Sequence, residues 1–253
     1  MIKSAKRRAR NFLGPRDEFQ HIFFRRVKNR SGLEIGGPSE IVFGDRGVIP
    51  AYRYLKSLDN CVYSSETIWE GQRLEGRTFT YHPNQPAGFN FILESTDLHK
   101  IKNNAYEFIL ASHTLEHTAN PIKALKEWMR VTKPGGALIV ILPHYRHTFD
   151  HRRQPTPVGH MVEDYERGMD ESDQTHLNEI LELHDLSFDP PAGSPEQFRE
   201  RSLRNIENRC LHQHVFDENN SRGLLEAAGL NVQVARLIEP HIVMLAEAGP
   251  LAE

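Results

Sequence analysis

The sequence predicts an α/β fold, and three features carry that expectation. Residues Ala137–Leu142 (ALIVIL) are apolar without interruption, as suits a parallel strand covered on both faces. A helical segment, NPIKALKEWMRVTKPGG (residues 120–136), lies between that run and the apolar run YEFILAS (106–112), so the chain reads strand, helix, strand. Such a unit crosses over right-handedly within a parallel sheet. Near the end, NVQVARLIE and HIVMLAE are separated only by Pro240 and read as an antiparallel hairpin at the sheet edge.

Taken in order, the first element is GLEIGGPSEI (residues 32–41). Leu33 and Ile35 are strand formers, and Gly36 and Gly37 accept the dihedrals of a tight turn. NCVYSS (60–65) and FNFILES (89–95) read as further strands. In the helix, Asn120 is placed as a cap, Pro121 takes the first position, and Ile122, Leu125, Trp128 and Met129 recur at helical spacing. Lys133, Pro134 and Gly135 stop it. Residues 144–211 then break the rhythm with HYRHTFDHRRQPTPVGH, two short helical patterns, the Pro-rich DPPAGSP, and a helix opened by Ser194-Pro195-Glu196-Gln197. Ser followed three residues later by Gln is a capping box. This segment is expected to be a helical insertion packed over the carboxyl edge of the sheet. Asp217 caps the helical stretch ENNSRGLLEAAG that precedes the hairpin.

With 253 residues and 29.1 kDa, the chain is read as one domain, 1–253, carrying that insertion. Hydrophobic residues at 38% and charged residues at 26% fit a soluble globular protein. No run approaches the roughly 18 apolar residues of a membrane helix. The net charge of -3 gives no field for nucleic acid, although MIKSAKRRAR opens the chain with five basic residues. Residues 1–31 are therefore read as a basic helical extension whose opening is a solvated helix start, the alternative being peripheral contact with an acidic membrane or partner surface. Apart from that end no basic stripe with interleaved aromatics occurs, so no nucleic-acid partner is expected. Two cysteines, Cys61 and Cys210, do not make a disulfide framework. They fit a reducing cytoplasm and exclude a four-cysteine zinc site.

In an open α/β sheet, ligands bind beyond the carboxyl ends of the strands, and GLEIGGPSEI is the first such end. Its glycines let a ligand lie against the backbone. Glu34 opposes a pyrophosphate and favours a ligand bearing an ammonium or sulfonium.

These segments together resemble the class I S-adenosylmethionine-dependent methyltransferases. LEIGG is similar to their first cofactor loop, ILESTDL to the acidic segment of their third strand, YEFILASHTLEH to their fourth strand and its turn, and KPGGALIVILP to their fifth strand. The resemblance covers about residues 32–143 and 212–247. It implies a Rossmann-like, mainly parallel seven-stranded sheet with an antiparallel last strand, and S-adenosyl-L-methionine as cofactor. It also implies that Glu34, Gly36 and Gly37 face the methionine part, that Glu94 or Asp97 accepts from the adenine amino group near Leu98, and that Ser112 and His113 line the transferred methyl. Two departures stand out. The family's loop separates its glycines by one residue, whereas here they are adjacent and followed by Pro38. The acid that holds the ribose at the end of the second strand is also missing, and Glu66 is its nearest substitute.

Methyl transfer to an alcohol needs a base that titrates near neutrality, most often histidine. His144 and His147 follow the fifth strand, and Asp150 could orient one of them or His151. His151, Arg152 and Arg153 are assigned to acceptor binding, the arginines as a clamp for a phosphate or carboxylate. HYRHTFDH also has the residue types of a metal site, but no metal is assigned. FDHRRQPTP with DESDQTHLNEILELHD is similar to inserts of bacterial methyltransferases associated with surface-polysaccharide assembly. That likeness implies O-methylation of a sugar or another hydroxylated polar acceptor, either a small molecule or a glycan. The alternatives are an N-methyltransferase and a catalytically inactive protein using the same fold for binding or scaffolding. A nicotinamide-linked oxidoreductase is disfavoured by the lack of a third glycine.

Overall fold

The computed structural model describes residues 18–67 and 71–249, so the basic stretch that opens the chain lies outside the described residues. Helix α1 (Glu18–Val27) leads into strand β1 (Ser31–Ile35), a one-turn helix α2 (Glu40–Phe43) and β2 (Ser57–Val62). A two-residue hairpin, β3 (Glu66–Thr67) and β4 (Gly71–Gln72), precedes β5 (Gly76–Phe79), β6 (Gly88–Ile92) and β7 (Tyr106–Ser112). Next come α3 (Pro121–Val131) and β8 (Thr132–Pro143), then the insertion helices α4 (Val158–Arg167), α5 (Leu177–Leu183), α6 (Pro195–Leu203) and α7 (Asn205–Asn208). Helix α8 (Glu218–Ala227) and the hairpin β9 (Asn231–Ile238) and β10 (His241–Glu247) follow.

One eight-stranded sheet runs in the order β5-β6-β2-β1-β7-β8-β10-β9. Neighbours from β6 to β8 are parallel, while β10 is antiparallel to both β8 and β9. This is a Rossmann-like sheet with its antiparallel last strand. It has one strand more than the expected seven, because β5 adds antiparallel to the edge of β6.

The uninterrupted apolar run of β8 follows from burial on both faces. Leu138, Val140 and Leu142 join one core with Ile122, Leu125 and Trp128 of α3 and Leu224 and Leu225 of α8. Ala137, Ile139 and Ile141 join the opposite core with Phe23 and Val27 of α1. Strand β7 divides the same way, Ile109 and Ala111 to one side and Phe108 and Leu110 to the other. Helix α3 begins as its sequence dictates: Asn120 Oδ1 accepts from Lys123 N at 3.0 Å, with Pro121 in the first turn. Strand β8 starts earlier than its apolar run, because Thr132 already pairs with Tyr106 across a bulge.

The insertion buries a small core of its own, with Leu177, Ile180, Ala192, Phe198 and Leu211. Met161 of α4 instead joins the main core. The capping box at Ser194 and Gln197 is formed, as is a second at Asp217 and Asn220. Among the described residues no helix is long and apolar enough to cross a membrane.

Candidate functional site

A cavity of about 650 Å³ opens beyond the carboxyl ends of β1, β2, β6 and β7, within the size range of cofactor pockets. Strand β1 contributes Ile35 and Gly36, β2 ends in Cys61 and Val62 followed by Tyr63, and β6 is followed by Leu93 and Glu94. Strand β7 and its turn contribute Ser112, His113, Thr114, Glu116 and His117, the insertion Glu171 and Arg209, and beyond it His212 and His241 close the wall.

The adjacent glycines have separate reasons. Gly36 lines the cavity at φ 76°, a left-handed conformation costly for any side chain. Gly37 is bare because a Cβ there would overlap the Glu34 carboxyl group. That carboxylate is fully buried and taken up inside the protein: Tyr52 Oη donates to Oε1 at 2.8 Å and Ser39 N donates to it at 3.0 Å. Glu34 thus braces the turn from behind and does not line the cavity. Asn60 pins the same turn, accepting from Gly37 N at 2.9 Å.

Of the residues predicted to face a cofactor, the structure brings together Gly36, Glu94, Ser112 and His113. Asp97 is 61% exposed and pairs with His99 at 3.2 Å. Leu98 is fully buried in the core. Glu66 is exposed on β3, although its neighbour Thr67 reaches the cavity. Glu94 is held by Arg209 at 2.6 Å, and the same guanidinium lies 3.5 Å from Glu171 and over the Tyr63 ring. Burial pushes the Glu171 carboxyl up to about 7 against the pull of Arg209.

The residues predicted for chemistry in the insertion separate. His144 is buried with its Nε2 3.3 Å from Glu218, and His147 packs against it with ring centres 5.7 Å apart. His151 and Arg152 both turn to Asp185, Arg152 at 2.6 Å. None of the four lines the cavity. Arg153 is 1% exposed, and its guanidinium is spent on Asp150 at 3.1 Å, Glu179 at 3.2 Å and the carbonyl of His212 at 2.7 Å. It is an internal tie, with no face turned to an acceptor.

Asp150 does orient a histidine, but a different one from those expected. It accepts from Nδ1 of His212, sixty-two positions along the chain. The chain arrives there because Gln213 N donates to the Glu116 carbonyl at 2.7 Å, which sets His212 beside Glu116 in the cavity wall. Burial disfavours the His212 cation, yet the charge and hydrogen bond of Asp150 outweigh it and hold its pKa above the usual histidine value. For Asp150 burial likewise acts against the charge, and His212 and Arg153 override it to keep the carboxylate ionised.

Glu116 is 1% exposed, and neither carboxylate oxygen has a hydrogen-bond partner among the described residues. Burial raises its pKa to about 7. His113, at φ 54°, meets His241 at 2.9 Å and is lowered to about 3 by burial and by the neighbouring histidines. Glu116, His117 and His212 each place one ligand atom within 4.8 Å of the others, so this wall could receive a divalent cation.

Sequence reading quoted Glu116 and His117 within SHTLEH but missed Arg209, His212 and His241. For Arg209 and His212 the only signal was the His-rich RCLHQHVF at residues 209–216, where the insertion rejoins the sheet; His241 opens the last strand.

Fold and site together define a Rossmann-like protein: the β6-β2-β1-β7-β8-β10-β9 order, with a cavity at the carboxyl ends. Residues 72–140 match the family described as a methyltransferase domain. With this fold, the match supports an S-adenosylmethionine-dependent methyltransferase and S-adenosylmethionine as its cofactor. Among solved structures, the chain is similar to a protein of Bacillus halodurans assigned as a methyltransferase, at 10% identity and a TM-score of 0.50, over 91% of this chain and 97% of that one. It is also similar to a protein of Listeria monocytogenes assigned as an S-adenosylmethionine-dependent methyltransferase, at 16% identity and a TM-score of 0.49, over 95% and 98%. At such identities the likeness concerns the fold. No curated protein sequence matches the chain.

Proposed function

We propose that the protein transfers a methyl group from S-adenosylmethionine to a hydroxyl of a small polar acceptor, with His212 as the base. The observation that carries this reading is the Asp150–His212 pair in the cavity wall. Asp150 is ionised and can only accept, so the proton on the His212 ring sits on Nδ1 and the lone pair on Nε2. A histidine so oriented takes a proton from an alcohol, and its carboxylate partner stabilises the imidazolium that results.

The cavity residues suit the cofactor. The bare backbone at Gly36 allows close approach, Ile35, Val62 and Leu93 supply an apolar wall, and Glu94 offers an acceptor for an amino or hydroxyl group. When bound, the cofactor supplies a methyl on a sulfonium, which leaves the protein to position the acceptor and move a proton. Glu116, uncharged part of the time near neutrality, lines the same wall as His212. Arg209 and Glu171 give the cavity wall a polar, charged patch, which favours a hydroxylated acceptor over a flat apolar one. The likeness of the insertion to polysaccharide-associated inserts supports a sugar or sugar-containing acceptor, and the use of only two cysteines supports a cytoplasmic enzyme.

The test is a methyl-transfer assay with the purified chain, comparing hydroxylated sugars with amines. Transfer to a hydroxyl that fails in His212→Asn while cofactor binding persists is expected. Transfer to an amine that survives His212→Asn would replace this reading with N-methylation. Absence of any heat with S-adenosylmethionine would replace it with a binding role.

A further inference from the structure

Away from the cavity wall, a second group of histidines converges on one carboxylate. His160 and Asp164 lie one turn apart on α4, and His176 stands at the start of α5. His160 Nε2 is 3.0 Å from His176 Nε2 and 3.4 Å from Asp164 Oδ2. His214 Nε2 lies 3.7 Å from the same Oδ2 but donates its hydrogen to the Ala119 carbonyl at 3.3 Å. Asp164 is 4% exposed, and its Oδ2 has no hydrogen-bond partner among the described residues. A buried carboxylate oxygen aimed at a cluster of ring nitrogens yet bonded to none is costly.

Protons alone do not resolve the arrangement. One proton between the facing nitrogens of His160 and His176 satisfies that pair and leaves Asp164 without a donor. Charging the histidines to pair with Asp164 would crowd cations around a single carboxylate. A divalent cation satisfies them together, because neutral imidazoles offer lone pairs and the carboxylate offsets one charge. In a tetrahedral site with metal bonds near 2.0–2.1 Å, ligand atoms lie about 3.3–3.4 Å apart. The observed 3.0 and 3.4 Å spacings lie close to that value.

We propose that His160, Asp164 and His176 hold one zinc-like divalent ion. The nitrogen-rich set with one carboxylate favours zinc over magnesium or calcium, which take oxygen ligands. The role is structural. The ion fastens α4 to the start of α5. The inference stands on the insertion's own residues and does not require the proposed reaction.

The experiment is metal analysis of the full chain purified without chelator. About one zinc per chain is expected, falling at least tenfold in His160→Ala and in His176→Ala, while His99→Ala, at an exposed histidine, retains it. Because those variants could fold poorly, the wild-type chain is also stripped with a chelator and titrated with cobalt(II). The visible absorption of a tetrahedral cobalt site, with thermal stability recovered on adding zinc, is the supporting result. A stripped chain as stable as the untreated one and showing no such absorption overturns the proposal. So does metal that survives His160→Ala with His176→Ala but is lost in Glu116→Gln, which would put the ion in the cavity wall.

Discussion

His212 donates its Nδ1–H to Asp150, and Arg153 holds the other oxygen of that carboxylate at 3.1 Å. The carboxylate is thereby fixed from two sides, and the ring can rotate little. The remaining ring nitrogen is the group that the proposed reaction depends on.

Asp150→Asn should lower kcat by about 10² to 10⁴-fold while leaving cofactor affinity nearly unchanged. The pH profile adds a sign. His212 must be neutral to act, and Asp150 raises its pKa above the usual 6.5, so activity should rise with pH through a value above 6.5. In Asp150→Asn that limb should move to lower pH. Initial rates across pH check both; a limb that stays in place would assign the base elsewhere.

Glu116 makes a prediction about stability. Its carboxyl ordinarily titrates at 4.5, and burial raises it to about 7 in the folded chain. Folding therefore carries no penalty from it below pH 4.5, where it is neutral in both states. The penalty grows as pH rises and is complete above about 7. Glu116→Gln should stabilise the chain above that pH by on the order of 3 kcal/mol, with the gain vanishing toward pH 4.5. Urea unfolding in chelator-treated buffer at several pH values measures it, and a pH-independent difference would contradict it.

The paired glycines should respond differently to the same change. Gly37→Ala drives a methyl group into the buried Glu34 carboxyl and should cost about 1–3 kcal/mol of stability. Gly36→Ala imposes a strained φ of 76°, worth about 1 kcal/mol, and should chiefly weaken cofactor binding because Gly36 lines the cavity. Denaturant unfolding and calorimetry on both variants separate the effects.

Much of the fold was legible because burial leaves a local imprint. The unbroken run at Ala137–Leu142 identified a central strand, and Asn120–Pro121 fixed the start of α3. The short β5 was not legible, since Gly76–Phe79 has little apolar patterning and is held by its pairing with β6. At the site, the turn residues Gly36, Ser112 and His113 could be read because they adjoin strands. His212 could not, since its partners Asp150 and Glu116 are distant in sequence and only the folded insertion brings them together. Proximity along the chain favoured His144 and His147, which the structure keeps outside the cavity wall.

The central claim is that the cavity bordered by Gly36 and Glu94 receives the cofactor. Calorimetric titration of the full chain and of Gly36→Val with S-adenosylhomocysteine tests it most directly. The wild-type chain is expected to bind with a Kd on the order of micromolar and the variant to give no heat while remaining folded. No heat from the wild type, or equal binding by both, would contradict it.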